Sequence, residues 1–215
     1  IFHKADWLVF IFTPASFILA WWIVKRFAPL ARGSGIPQVS AAIELSNPKH
    51  HYIVEKLLSL KIIVVKILSS LVMAFGGGII GREGPTIQIA ASIFKKINDW
   101  LPSWYPKISK RNMIVTGAAA GLASAFNTPL GGIVFAIEEL TKTHFSFFKS
   151  ALLTGVIIAG FTALTILGPY LYLGYPQLGH MTSSIILAVL LTAIITGIAS
   201  SGMCSGLLIV LKKKS

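Results

Sequence analysis

Two side chains in this sequence combine reactive chemistry with a backbone setting that could use it. Glu83 lies in Gly81-Arg82-Glu83-Gly84-Pro85, after the run Gly76-Gly77-Gly78 and ahead of the apolar residues Ile87, Ile89, Ala90 and Ala91. Ser34 lies in Gly33-Ser34-Gly35-Ile36-Pro37. Proline is favoured at the first position of a helix, where its missing N–H would have no partner anyway. Pro37 and Pro85 are therefore each expected to open a helix, with Glu83 just outside the second. The first turn of a helix presents free N–H groups and the positive end of a dipole, which together attract an anion. A carboxylate there is either the resident anion or a movable substitute for one. The Ser34 hydroxyl and the N–H groups after Gly35 and Gly84 would add donors. In a soluble chain Glu83 would read instead as part of a capped helix with a surface ion pair, so the setting decides.

The composition identifies that setting as a membrane. Of 215 residues, 54% are hydrophobic and 12% charged, where a soluble domain carries about 25% charged residues. The net charge is +12, but the basic residues fall between apolar runs, the pattern of headgroup-level loops, so nucleic acid is not the expected partner. Cys204 is the sole cysteine and the five histidines are scattered, so no internal disulfide and no metal-ligand spacing is expected.

The elements that must position Ser34 and Glu83 follow from uncharged runs and their breakers. Residues 7–24 carry no charge and would span about 27 Å as a helix, near the hydrocarbon thickness. Pro14 is a possible kink, and Trp21 and Trp22 suit the interface. Lys25, Arg26 and Arg32 make the end near residue 30 the cytoplasmic one. The helix opened by Pro37 is too short to span and ends near Asn47-Pro48, before a basic turn with His50 and His51. The run 57–75 contains Lys61 and Lys66. A lysine at membrane depth faces a partner or a wet cavity, and snorkelling to the interface suits Lys61 better than Lys66. Past residue 92 the chain turns polar and basic. Residues 112–137 are uncharged, rich in small residues, and expected to break at Asn127-Thr128-Pro129 into two helices, with Thr128 as N-cap and Glu138-Glu139 at the end. Residues 151–167 form another candidate span. After a turn-rich loop through Tyr175-Pro176, residues 181–211 make a run of about 46 Å if helical, with Gly197 or Gly202 as bending points. Gly117 to Gly121 and Gly155 to Ala159 read as packing surfaces. Ile1 at the start and Lys212-Lys213-Lys214-Ser215 at the end are read as cuts in a longer chain.

Helices that open at Pro37, Pro85 and Pro129 interrupt the backbone within this membrane setting. Interrupted backbone survives at membrane depth only inside protein or beside a water-filled cavity. Half-helix N-termini that point inward hold anionic groups near the midplane. The physical reading is an all-α integral membrane protein with an anion pathway. A phosphate-binding enzyme is the competing class, but the glycine run lacks the GK[ST] of a P-loop and its strand–helix context.

Three stretches taken together, Gly33-Ser34-Gly35-Ile36-Pro37, Gly81-Arg82-Glu83-Gly84-Pro85 and residues 117–140 (GAAAGLASAFNTPLGGIVFAIEEL), resemble the CLC family of chloride channels and chloride/proton antiporters. The resemblance implies a bundle of tilted, broken and re-entrant helices built from two inverted halves, in a homodimer whose subunits each have a pore. Residues 1–215 would then be a single transmembrane fragment, with 1–168 from the first repeat and 181–211 the first helix of the second. By motif, Ser34 resembles the serine that contacts chloride, together with Gly35, Ile36 and Pro37. Glu83 resembles the gating glutamate, and Glu139 the internal proton-transfer acid of antiporters. Gly33, Lys66, Arg82, Gly84 and Pro85 would support them. Serine rather than proline at position 34 favours chloride over nitrate. The family's GxFxP helix start and its chloride-binding tyrosine are not in this sequence. The implied function is chloride/proton antiport in a bacterial inner membrane, with chloride, protons and lipid as partners, no cofactor and no enzymatic activity. A passive chloride channel and a non-conducting fragment are the alternatives on the same fold.

Overall fold

A computed structural model describes residues 7–46, 51–106, 108–140, 149–168 and 183–213. The expected basic turn with His50 and the loop through Tyr175-Pro176 lie outside these residues. Among the described residues every regular element is helical, and three helical stretches are long and apolar enough to cross a membrane: Val9–Phe27, Tyr52–Phe75 and Ile185–Val210. The chain divides into two compact units, Ile1–Tyr172 and Leu173–Ser215.

In the first unit α1 (Leu8–Phe27) runs through Pro14. It packs antiparallel on α4 (Leu60–Phe75), because the Thr13 hydroxyl donates to the Gly76 carbonyl at 2.6 Å. At the opposite end, Ile23 and Val24 pack with Ala28, Ala31, Ile62 and Val65. Between them come a 3-10 turn (Pro29–Ala31), α2 (Ile36–Glu44) and α3 (His51–Leu57). The run expected as continuous from 57 to 75 is divided at Ser59. Its side chain accepts the Ile62 N–H at 3.3 Å and so starts α4 afresh, as an N-cap serine does.

α5 (Glu83–Trp100) begins two residues before Pro85, so Glu83 stands inside its first turn, not outside it. The helix continues past residue 92 through the polar stretch, where Lys95 is 1% exposed and bonds Glu55 at 2.5 Å and Asp99 at 2.8 Å. α6 (Lys110–Phe126) ends at Asn127 in the left-handed conformation, φ 54°, which asparagine tolerates. α7 (Pro129–Phe135) follows and runs into a five-residue π turn, Ala136–Leu140. The expected break is therefore present, but the Thr128 side chain makes no capping hydrogen bond.

Small residues let these helices approach closely. A Cβ on Gly117 would lie 2.7 Å from Phe94 Cβ, and one on Gly121 2.8 Å from Ala90 Cβ, so α6 lies hard against α5. A Cβ on Gly155 of α8 (Lys149–Leu167) would lie 2.6 Å from Thr116 Cγ2 of α6. One apolar cluster joins Val39 and Ala42 of α2, Val54 of α3, Ile87 of α5, Ala118 of α6 and Val156 of α8. In the second unit, α9 (Ser183–Lys213) is a single 31-residue helix, without the interruption considered at Gly197 or Gly202.

Candidate functional site

Ser34 hangs between two glycines whose φ angles, +76° at Gly33 and +106° at Gly35, lie in the left-handed region. Other residues adopt that region with difficulty, and this is why the serine has a glycine on each side. Gly35 becomes the N-cap of α2, and the Ile36 N–H reaches the Ser34 hydroxyl oxygen at 3.4 Å. The hydroxyl accepts that bond and keeps its own proton to donate.

The first turn of α5 lies directly against this loop. A Cβ on Gly84 would lie 2.8 Å from the Ser34 carbonyl carbon and 2.8 Å from Ser34 Cβ, and closer still to the Ser34 carbonyl oxygen. A Cβ on Gly35 would lie 2.9 Å from the Gly84 carbonyl oxygen and 2.8 Å from Gln88 Oε1. The two motifs, 48 positions apart in sequence, thus interlock through glycines at both contact points. Neither Arg82 nor Gly35, the N-caps of α5 and α2, makes a side-chain capping bond. Two helix N-termini therefore begin side by side, with the Ser34 hydroxyl at the first N–H of α2.

Lys66 adds a charge from the third side. It is 3% exposed, and its ammonium donates to the Ala31 and Gly33 carbonyls, each at 2.7 Å. The lysine expected to face a partner inside the membrane does so, and its partner is the backbone of the serine loop. Two helix dipoles and one buried ammonium make the surroundings of Ser34 electropositive, which suits an anion.

Glu83 is half-buried, and its Oε2 lies 2.5 Å from where a Gly81 Cβ would stand. Its carboxylate is folded back over its own entry turn. Arg82 is exposed, and its carbonyl accepts the Thr86 hydroxyl at 2.6 Å. Arg82 and Thr86 line two cavities: one of about 270 Å³ with Ser124 and Asn127, and one of about 330 Å³ with Ile67, Leu71 and Pro85. Neither includes Ser34, which is exposed.

Glu139 stands elsewhere. It is exposed on the π turn, whose Ala136 and Leu140 are buried in the apolar cluster shared with α2. Among the described residues, no hydrogen bond or ion pair joins it to the Ser34 or Glu83 segments.

Sequence reasoning missed the amides that hold the loop. Gln88, fully buried, donates to the Leu57 carbonyl at 3.3 Å while it packs on Gly35. Gln38 donates to the Arg32 carbonyl at 2.8 Å. The available signal was a glutamine one helical turn beyond Gly84, on a face otherwise made of Ile87 and Ala91.

A family model described as voltage gated chloride channel matches residues 16–214. An H(+)/Cl(-) exchange transporter ClcA of Cronobacter sakazakii is 36% identical over 155 residues, which cover 71% of this chain and 31% of that protein. Its counterpart in Citrobacter koseri is 34% identical over 166 residues, 73% of this chain and 33% of that protein. The crystal structure of a slow cyanobacterial Cl-/H+ antiporter superposes with a TM-score of 0.70 at 28% identity, covering 91% of this chain and 44% of that one. The chain spans about a third of the length of these two transporters.

Proposed function

The chain belongs to the voltage gated chloride channel family, and from that premise we propose that the protein carrying it exchanges chloride for protons across a membrane. The relatives named as H(+)/Cl(-) exchange transporters support antiport. The observation that carries the reading is the seating of Gly84 on Ser34, which brings two helix starts and the buried Lys66 to one place. In this reading chloride is held by the Ser34 hydroxyl and the N–H groups at the start of α2, around Gly35, Ile36 and Pro37. Glu83, when ionised, occupies the outer part of the same field and keeps chloride out. Protonation removes its charge, the side chain leaves, and chloride enters. Glu139 passes protons on the inner side. Gly33, Arg82 and Pro85 shape the two loops. Residues 1–168 belong to the first of two inverted repeats and 181–211 open the second. The working unit is a homodimer in a bacterial inner membrane.

The test is Glu83→Gln in the intact protein reconstituted into liposomes. A neutral amide cannot exchange a proton at this position, so chloride flux should persist while proton movement stops. Proton pumping that survives the substitution refutes the gating role. A passive channel is recognised by a reversal potential that does not shift with an imposed pH gradient.

A further inference from the structure

We propose that the groove at the C-terminal end of α1 holds the phosphate of an anionic phospholipid headgroup, with Lys25 and Arg32 as its ligands. The groove has a volume of about 330 Å³ and is lined by Trp21, Val24, Lys25, Pro29 and Arg32. Val24 and Pro29 make its base apolar, and Val24 packs on the small cluster of Ala28, Ala31, Ile62 and Val65. Lys25 Nζ stands 4.5 Å from the centre of the Trp21 ring. That contact holds the ammonium at the groove. Arg32 adds a planar fork of donors, which matches phosphate oxygens.

The depth is that of headgroups. The apolar span Val9–Phe27 ends here, and Trp22 meets Phe27 edge to face with ring centres 5.8 Å apart, as interfacial aromatics do. Because α1 and α4 are antiparallel, Lys61 comes to the same level as Lys25, Arg26 and Arg32. Among the described residues no carboxylate forms an ion pair with any of these four cations. The C-terminal carbonyls of α1 oppose an anion at this level, and Lys25 and Arg26 in the last turn offset them. A zwitterionic headgroup brings its own cation and gains less. Free phosphate has the charge but leaves the apolar base uncovered. The groove's occupant does not depend on which ion the protein transports.

The test uses the intact protein, stripped of lipid in a neutral detergent. It is titrated with short-chain phosphatidylglycerol, with phosphatidylcholine and with inorganic phosphate, and bound molecules are counted by native mass spectrometry. Phosphatidylglycerol should be retained in preference to phosphatidylcholine. Lys25→Gln with Arg32→Gln should weaken that retention about 25-fold, roughly fivefold for each cation near an anionic lipid. The charge-preserving pair Lys25→Arg with Arg32→Lys should lose much less of it than the neutral pair. Trp21→Ala should weaken retention with no change of charge, and reads the same groove if the double variant does not fold. Equal retention of the two lipids, undiminished binding by the neutral variant, or displacement of phosphatidylglycerol by equimolar inorganic phosphate would overturn the proposal.

Discussion

Gly84 sits so close to Ser34 that one added carbon would overlap the Ser34 carbonyl. That contact sets the distance between the start of α5 and the loop that starts α2. Gly84→Ala should therefore push the serine loop away. Overpacking of this kind costs about 1–3 kcal/mol. The expected outcome is a lower melting temperature in detergent together with weaker chloride binding by calorimetry. Unchanged chloride affinity would mean that the contact is structural only.

Lys66 ties the same loop from α4. Lys66→Met keeps most of the side chain's length and removes both hydrogen bonds of the ammonium, so the Ala31 and Gly33 carbonyls lose their partner. A buried polar group left unsatisfied costs roughly 1–3 kcal/mol. Thermal unfolding should report a loss in that range, and halide affinity should fall with the removed charge. A wild-type melting temperature would show that the ammonium does not hold the loop.

The sign of the pH dependence follows from which form of Glu83 blocks. If the ionised carboxylate excludes chloride, as proposed, chloride flux should be lower at high pH than at low pH, and Glu83→Gln should flatten the profile. A stopped-flow or electrode assay in liposomes at a series of pH values distinguishes the two shapes.

Glu139 stands apart from the serine loop, so its substitution should separate the two ions. Glu139→Ala is expected to leave chloride movement largely intact while the proton count per chloride drops. Stoichiometry measured from reversal potentials decides this, and an unchanged ratio would move the inner proton relay to another residue.

Lys95 bridges α3 and α5 at the far end of α5 from Glu83. Lys95→Ala would leave the Glu55 and Asp99 carboxylates facing each other. Breaking a buried pair costs about 3–5 kcal/mol. Here Glu55 is 41% exposed, which lowers the expectation to about 1–3 kcal/mol because solvent screens the carboxylate. The loss should appear in thermal unfolding without any change in anion selectivity.

The breaks in the helices were legible because their causes are local. Glycines with positive φ flank Ser34, a left-handed asparagine ends α6 beside Pro129, and both lie in short stretches that show their purpose without the rest of the chain. The cap at Ser59 was equally local, yet it was hidden inside a run whose hydropathy reads as continuous. The burial of Lys95 was not legible because its principal partner, Glu55, lies 40 positions upstream in sequence, so nothing near it in the chain marks its charge as a buried bond.

By itself the sequence determined the membrane setting, the helix breaks marked by proline and glycine near Ser34, Glu83 and Pro129, and the identity of the ionisable groups near those breaks. These depend on run length, on proline and glycine, and on residue type, none of which needs a partner. The tertiary structure alone decided which of these groups meet. It set Gly84 on Ser34, bound Lys66 to the carbonyls of Ala31 and Gly33, and left Glu139 exposed on its π turn. The physical reason is that close helix packing chooses partners by shape across 30 to 50 residues of intervening chain, and no spacing within one helix encodes that choice.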